Sequence, residues 1–295
     1  MKIYIYSLAA ILFLILQNKK IQAETPKLDI NTIEKAVGMK GEFNDKEQVY
    51  KVSYPRKDLE VVASGVKVTP ALGLTAWAAF TGAGEHTAVM GDIVLTEDQV
   101  HHVMSAALDA GLEVTALHNH FFTDNPKIMF MHISGMGSAE NLGSSVGKVF
   151  SALKESTAMK FPTASIDPSK TSLNPKIIET AMGRTGVFKD GVYKITVGRK
   201  TKMNGHEMGN AMGVNTWVAF AGSDKMAVVD GDIAMTENEL QPVLKALRRA
   251  KIRVVAIHNH MTQENPRILF LHFWGLGPTL ELSNGIKLAL DTQKY

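Results

Sequence analysis

The chain has 295 residues, 45% of them hydrophobic and 21% charged, enough for one large or two ordinary domains with real cores and too apolar for wholesale disorder. It contains no cysteine, which excludes disulfides, thiolate metal sites, a cysteine nucleophile and a lipid anchor on an N-terminal cysteine. The formal charge is +3 and the sequence pI about 8.8.

Part of that basicity belongs to the first segment, "MKIYIYSLAAILFLILQNKKIQAETP". Its apolar run, Ile3 to Leu16, is short for a bilayer span, and "IQA" before Glu24 offers a cleavage site. Residues 1–23 are therefore expected to be a secretory signal peptide and the mature protein to be periplasmic or secreted. Losing Lys2, Lys19 and Lys20 would bring the formal charge from +3 to zero. A neutral chain without a basic stripe is expected to bind neither nucleic acid nor, after cleavage, a membrane.

The elements follow in order. A short helix is predicted over 31–37, then strands around 47–54, 75–81 and 87–94. Thr96 with Gln99 forms a capping box, opening a helix with an apolar face of Val100, Val103, Met104, Ala107 and Leu108, and Gly111 ends it. Asn125-Pro126 marks the loop of a hairpin with strands at about 113–120 and 127–134, and a helix follows at 138–153. The segment "TASIDPSKTSLNP" then reads as a linker, placed at 163–174.

Beyond the linker the chain repeats itself. "TAWAAFTG" at 75–82 returns as "NTWVAFAG" at 215–222, and "GDIVLTEDQ" at 91–99 as "GDIAMTENE" at 231–239. "ALHNHFFTDNPKIMFMHISGMG" at 116–137 returns as "AIHNHMTQENPRILFLHFWGLG" at 256–277. A period this long is a duplicated domain, with repeats at 28–155 and 175–291. Strand-to-strand links too short for crossovers make each copy α+β with a mainly antiparallel sheet. In the second copy Pro242 should kink the helix that Thr236 and Glu239 open.

Each hairpin carries three histidines: His118, His120 and His132, then His258, His260 and His272. Period-two alternation points the first two to one face, with His118 opposite Phe130 and His132 diagonally beyond. Three imidazoles so placed suit a divalent transition metal: zinc, copper, nickel or iron. Nothing suggests an organic cofactor. Asp124 and Glu264 complete an H-x-H-x₃-[D/E] pattern and are candidate ligands. The pattern resembles the first cupin motif in ligand type only, since the last histidine follows too closely and a helix separates the strand pairs. The letters "HNH" stand consecutively on one strand, unlike the nuclease motif of that name. Asp92 and Asp232, inside apolar "GDI" stretches, are candidates for holding an imidazole N–H behind the ligands. Trp77 and Trp217 are expected in the core, and "KMNGHEMGNAMG" at 202–213, with Met203, His206, Met208 and Met212, as a flexible loop.

The combination of "FTG", "GDIVLTEDQV", "LHNH" and "NPRILFLHFWG" resembles a family of exported bacterial proteins of unknown function, the DUF1259 or LppY/LpqO family. The resemblance implies no reaction, so two readings stand from the residues: a metal-binding exported protein, or a non-catalytic module whose histidine face grips a small polar ligand such as a glycan or peptide. No serine–histidine–acid set, phosphate loop or HExxH helix appears, so the sequence does not say whether the protein is an enzyme.

Overall fold

A computed structural model describes residues 27–155 and 162–294; the expected signal peptide lies outside them. The first repeat runs α1 (Ile30–Val37), β1 (Glu42–Asn44), β2 (Val49–Pro55), β3 (Val61–Ala63), β4 (Val66–Val68), β5 (Thr75–Thr81), β6 (Thr87–Thr96), α2 (Glu97–Asp109), β7 (Glu113–His118), β8 (Asp124–Asn125), β9 (Ile128–Gly137) and α3 (Ala139–Lys154). The second runs α4 (Pro175–Met182), β10 (Val187–Lys189), β11 (Val192–Gly198), β12 (Thr201–Met203), β13 (His206–Met208), β14 (Asn215–Gly222), β15 (Ala227–Thr236), α5 (Glu237–Arg249), β16 (Arg253–His258), β17 (Glu264–Asn265), β18 (Ile268–Gly277) and α6 (Thr279–Leu290). The α+β duplication with an antiparallel sheet is what the structure shows.

The two repeats do not stand apart. Their main strands form one 12-stranded sheet in the order β1-β2-β5-β6-β9-β7-β16-β18-β15-β14-β11-β10. The centre of that order is the seam between the repeats, where β7 meets β16 antiparallel with Leu117 opposite Ile257. Gln241 of α5 reinforces it, accepting from the amide of Val114 at 3.0 Å and donating to its carbonyl at 2.9 Å.

Helices cover one face of the sheet. Val89, Ile93, Val114, Leu117, Met131 and Ile133 are buried beneath them, as are Val229, Ile233, Val254, Ile257, Leu271 and Phe273. Burying a residue of this size fully is worth roughly 1.5–3 kcal/mol, so this layer holds the fold. Gly231 shows how tightly it packs: an added Cβ would lie 2.2 Å from the Phe273 ring and 2.5 Å from the Trp217 carbonyl. The helix α5 runs through Pro242 as a single element.

The opposite face is only partly covered, at its ends, by two small sheets, β4-β3-β8 and β13-β12-β17. The second includes the stretch expected as a flexible loop. It is instead a hairpin turning at Asn204 and Gly205, both with positive φ (50° and 82°), and Met208 packs on a cluster of Val214, Ala234, Ile268 and Phe270. Asn-Gly supplies the left-handed backbone a two-residue hairpin turn requires. Trp77 and Trp217 are also not core residues. Both are half-buried on this second face, under Lys51 and Lys194, whose ammonium groups lie 4.2 and 4.3 Å from the ring centroids.

Candidate metal centre

The half-open face is where the histidines gather. Register places Trp77 opposite Asp92, Asp92 opposite His132, and His132 opposite Ala116, so the four strands β5, β6, β9 and β7 deliver one row. The second repeat builds the same row from Trp217, Asp232, His272 and Ala256. A bulge between Val114 and Ala116, and its copy between Val254 and Ala256, shifts the alternation so that His118 and His258 come to the same face as the aspartates. Without that extra residue the strand could not aim both Val114 inward and His118 outward.

His118 and His258 end their strands, opposite Phe130 and Phe270 as the alternation predicts. His120 and His260 lie just past the strand ends, in exposed bends. Each is laid flat on the same phenylalanine, with ring centroids 3.4 Å apart and planes within 8°. These phenylalanine platforms were not among the residues expected to matter.

The second repeat holds the tighter cluster. Asp232, His258 and His272 each offer one ligand atom, all within 4.8 Å of one another, and this is the one such triad among the described residues. Asp232 is 2% exposed. Its Oδ1 and the Nε2 of His258 are buried with no hydrogen-bond partner, while its Oδ2 lies 3.3 Å from Nε2 of His260. Burial lowers the pKa of His258, which favours the neutral imidazole, and Asp232 opposes that effect. Asp230, two residues before Asp232, is raised by burial and also feels His272.

In the first repeat the same residues are arranged differently. Nε2 of His118 and Nε2 of His132 face each other at 3.1 Å, one imidazole donating to the other. Asp92 keeps a buried Oδ1 without a partner, and burial raises its pKa against the pull of His132, His120 and His118. Burial likewise lowers His120.

A family model described as Domain of Unknown Function (DUF1259) matches residues 31–152 and again 176–292. The chain belongs to that family. No curated protein and no solved structure matches it. In both DUF1259 units the acids placed among the ligands by the H-x-H-x₃-[D/E] pattern have other partners. Oδ2 of Asp124 accepts from the amide of Ile128 at 2.7 Å and Oδ1 from Nζ of Lys127 at 2.8 Å. Burial opposes ionisation of Asp124, but those two donors more than offset it and hold the carboxyl below its usual range. Glu264 accepts from the amide of Ile268 at 3.1 Å in the same way. Both acids sit in the short strands β8 and β17, which pair with β3 and β12. Their side chains close the hairpin loop, and neither belongs to the triad. Asp232, expected behind the ligands, is instead one of the three groups that converge, and it still reaches His260.

The two DUF1259 sites also share one surface. Continuing the antiparallel register of Leu117 with Ile257 sets His118 opposite Ala256 and His258 opposite Ala116. His118 and His258 are then diagonal neighbours across the seam, about 7–8 Å apart.

Proposed function

We propose that this protein is an exported metal-binding protein whose principal site is Asp232, His258 and His272. The observation that carries the reading is the pair of buried, unpartnered ligand atoms, Asp232 Oδ1 and His258 Nε2, inside a triad only 4.8 Å across. A buried polar atom without a partner costs about 1–3 kcal/mol, and a shared cation would satisfy both at once. Two imidazoles and one carboxylate suit a first-row ion such as zinc, copper, nickel or iron, and three protein ligands leave positions for water or a further ligand. The Asp92, His118 and His132 set is the weaker counterpart.

Export rests on the N-terminal sequence, with a periplasmic or secreted destination. Among the described residues no helix is long and apolar enough to cross a membrane. The second reading, a small-polar-ligand module, draws support from Trp77 and Trp217, which flank the histidine rows on the half-open face. The two readings are compatible if the ion helps hold that ligand, and neither assigns a reaction.

Titration calorimetry of the mature chain with Zn²⁺ tests the proposal. Saturable binding should tighten as pH rises through about 6.5, because imidazole must be neutral to ligate. His258→Ala with His272→Ala should abolish it with the near-UV circular dichroism unchanged. An absence of heat in the native chain, with a double variant that melts several degrees lower, would leave these histidines as structural groups.

A further inference from the structure

On the helix side of the seam, α2 and α5 enclose a cavity of about 390 Å³ lined by Ser105, Leu108, Asp109, Lys245, Arg248 and Arg249. Arg248 is only 7% exposed. Its Nε donates to Ser105 Oγ at 3.3 Å and one terminal nitrogen to the Ile252 carbonyl at 2.9 Å. The other terminal nitrogen is buried with no acceptor. Among the described residues none of Lys245, Arg248 and Arg249 forms an ion pair, although Asp109 lines the same cavity. Cations in the last turn of a helix complement its dipole, which accounts for the exposed Arg249. That does not account for a guanidinium taken out of water without a carboxylate, since buried charges are ordinarily paired.

The duplication sharpens the point. At the offset of 140, the first repeat has Ser105, Leu108 and Asp109 where the second has Lys245, Arg248 and Arg249. Leu108 is buried, so an apolar side chain satisfies this helix position. The second repeat has placed a charge there instead, and put two more cations beside it.

We propose that this cavity binds a small oxyanion, a phosphate or a carboxylate, with Arg248 as the buried donor and Lys245 and Arg249 at the rim. Three cations against one acid leave the site net positive, and the Arg248 terminal nitrogen without an acceptor still has N–H groups to donate to an oxyanion. Burial lowers the Arg248 pKa to about 9, so it still carries its charge at neutral pH. The proposal does not depend on the metal centre, which lies on the other face of the sheet.

The test is calorimetry and thermal melting of the mature chain in EDTA at constant ionic strength, with inorganic phosphate and, separately, succinate. EDTA keeps any metal-held anion out of the measurement. At least one probe should bind saturably and raise Tm with concentration. Arg248→Leu, which installs the residue the first repeat carries, should remove that response while the unliganded protein keeps its cooperative melt. Lys245→Ser should weaken binding severalfold, and it serves as the test should Arg248→Leu fail to fold. Neither probe binding at millimolar concentration, or both variants binding as the native chain does, would overturn the proposal.

Discussion

The two halves of the molecule solve the same local problem with different charges. Each buries an arginine beneath the sheet, Arg56 in the first repeat and Arg199 in the second, and each arginine reaches a carbonyl of the adjoining strand and the side chain three residues into the next helix. In the first repeat that side chain is the neutral Gln99, and the carboxylate comes from the half-exposed Asp58 at 2.8 Å. The second repeat lacks three residues at this point, so no counterpart of Asp58 exists there, and the carboxylate has moved to the buried Glu239. A capping residue thus neutralises the buried cation in the repeat whose shorter loop has no acid to supply. Duplication fixed the arginine's place in the fold and left the source of its counter-charge free to change.

Breaking this comparison at its strongest point gives the largest expected effect. Glu239→Ala leaves Arg199 buried without its carboxylate and should cost about 3–5 kcal/mol, whereas Gln99→Ala leaves Arg56 still paired to Asp58 and should cost about 1–2 kcal/mol. Urea unfolding of the two variants measures the difference, and equal losses would refute it. Burial opposes ionisation of Glu239, but the Arg199 hydrogen bonds and the amides of Thr236 and Lys294 hold its pKa down to about 2. Because the folded value lies below the ordinary 4.5, this contribution is fully present above pH 4.5 and is lost as pH falls towards about 2. Glu239→Gln should flatten the stability profile in that window.

The metal centre divides the halves next. His258→Ala or Asp232→Asn should weaken Zn²⁺ binding at the tight site by more than about 100-fold, beyond what loss of an outer partner usually costs. His118→Ala or Asp92→Asn should leave that affinity within about twofold, since neither residue belongs to the triad. Equal losses from both sets would mean that the first repeat holds an equivalent ion.

Packing under the aspartates gives a smaller contrast. Gly231→Ala drives a methyl into the Phe273 ring at 2.2 Å, while Gly91→Ala meets the Ile133 side chain at 3.0 Å and the Trp77 carbonyl at 2.7 Å. Both should destabilise by about 1–3 kcal/mol, with Gly231→Ala the worse. A difference in thermal midpoint of a few degrees between the two checks it.

Much of this was legible in the chain because the signals are local. The offset of 140 exposes the duplication, and the capping boxes place α2 and α5 within a residue of where they begin. Alternation about Asn125-Pro126 gives the pairing of His118 with Phe130. What was not legible depends on register between distant strands. Asp232 enters the triad because β15 lies beside β18 with Asp232 facing His272, a pairing across 40 residues that no local pattern encodes. Asp124 and Glu264 misled because their spacing fits a metal motif, while the same spacing also lets a carboxylate reach an amide four residues on. The seam at Leu117 and Ile257 joins the repeats through strands that the sequence shows only as one arm of each hairpin. The hairpin at Asn204-Gly205 did carry a readable signal, which the methionines around it obscured.

The smallest expected effect tests whether the two halves are still alike where their geometry is alike. Lys51 over Trp77 and Lys194 over Trp217 stand at 4.2 and 4.3 Å, on the outer side of each aspartate row. An ammonium at that distance from an indole face is attracted by the ring quadrupole, worth about 0.5–1 kcal/mol where solvent reaches it. Lys51→Met and Lys194→Met keep most of the aliphatic stem and remove the charge, so each should cost about that much and both by the same amount. Each should also leave the Zn²⁺ affinity of the second repeat nearly unchanged, because neither lysine touches the triad. A matched pair of small losses in urea unfolding would mean that the tryptophan ends of the rows are equivalent and that the divergence between repeats begins inward of them, at the aspartates. An unmatched pair would place the divergence at the edge of the face and make Trp77 and Trp217 unequal partners for any ligand laid across it.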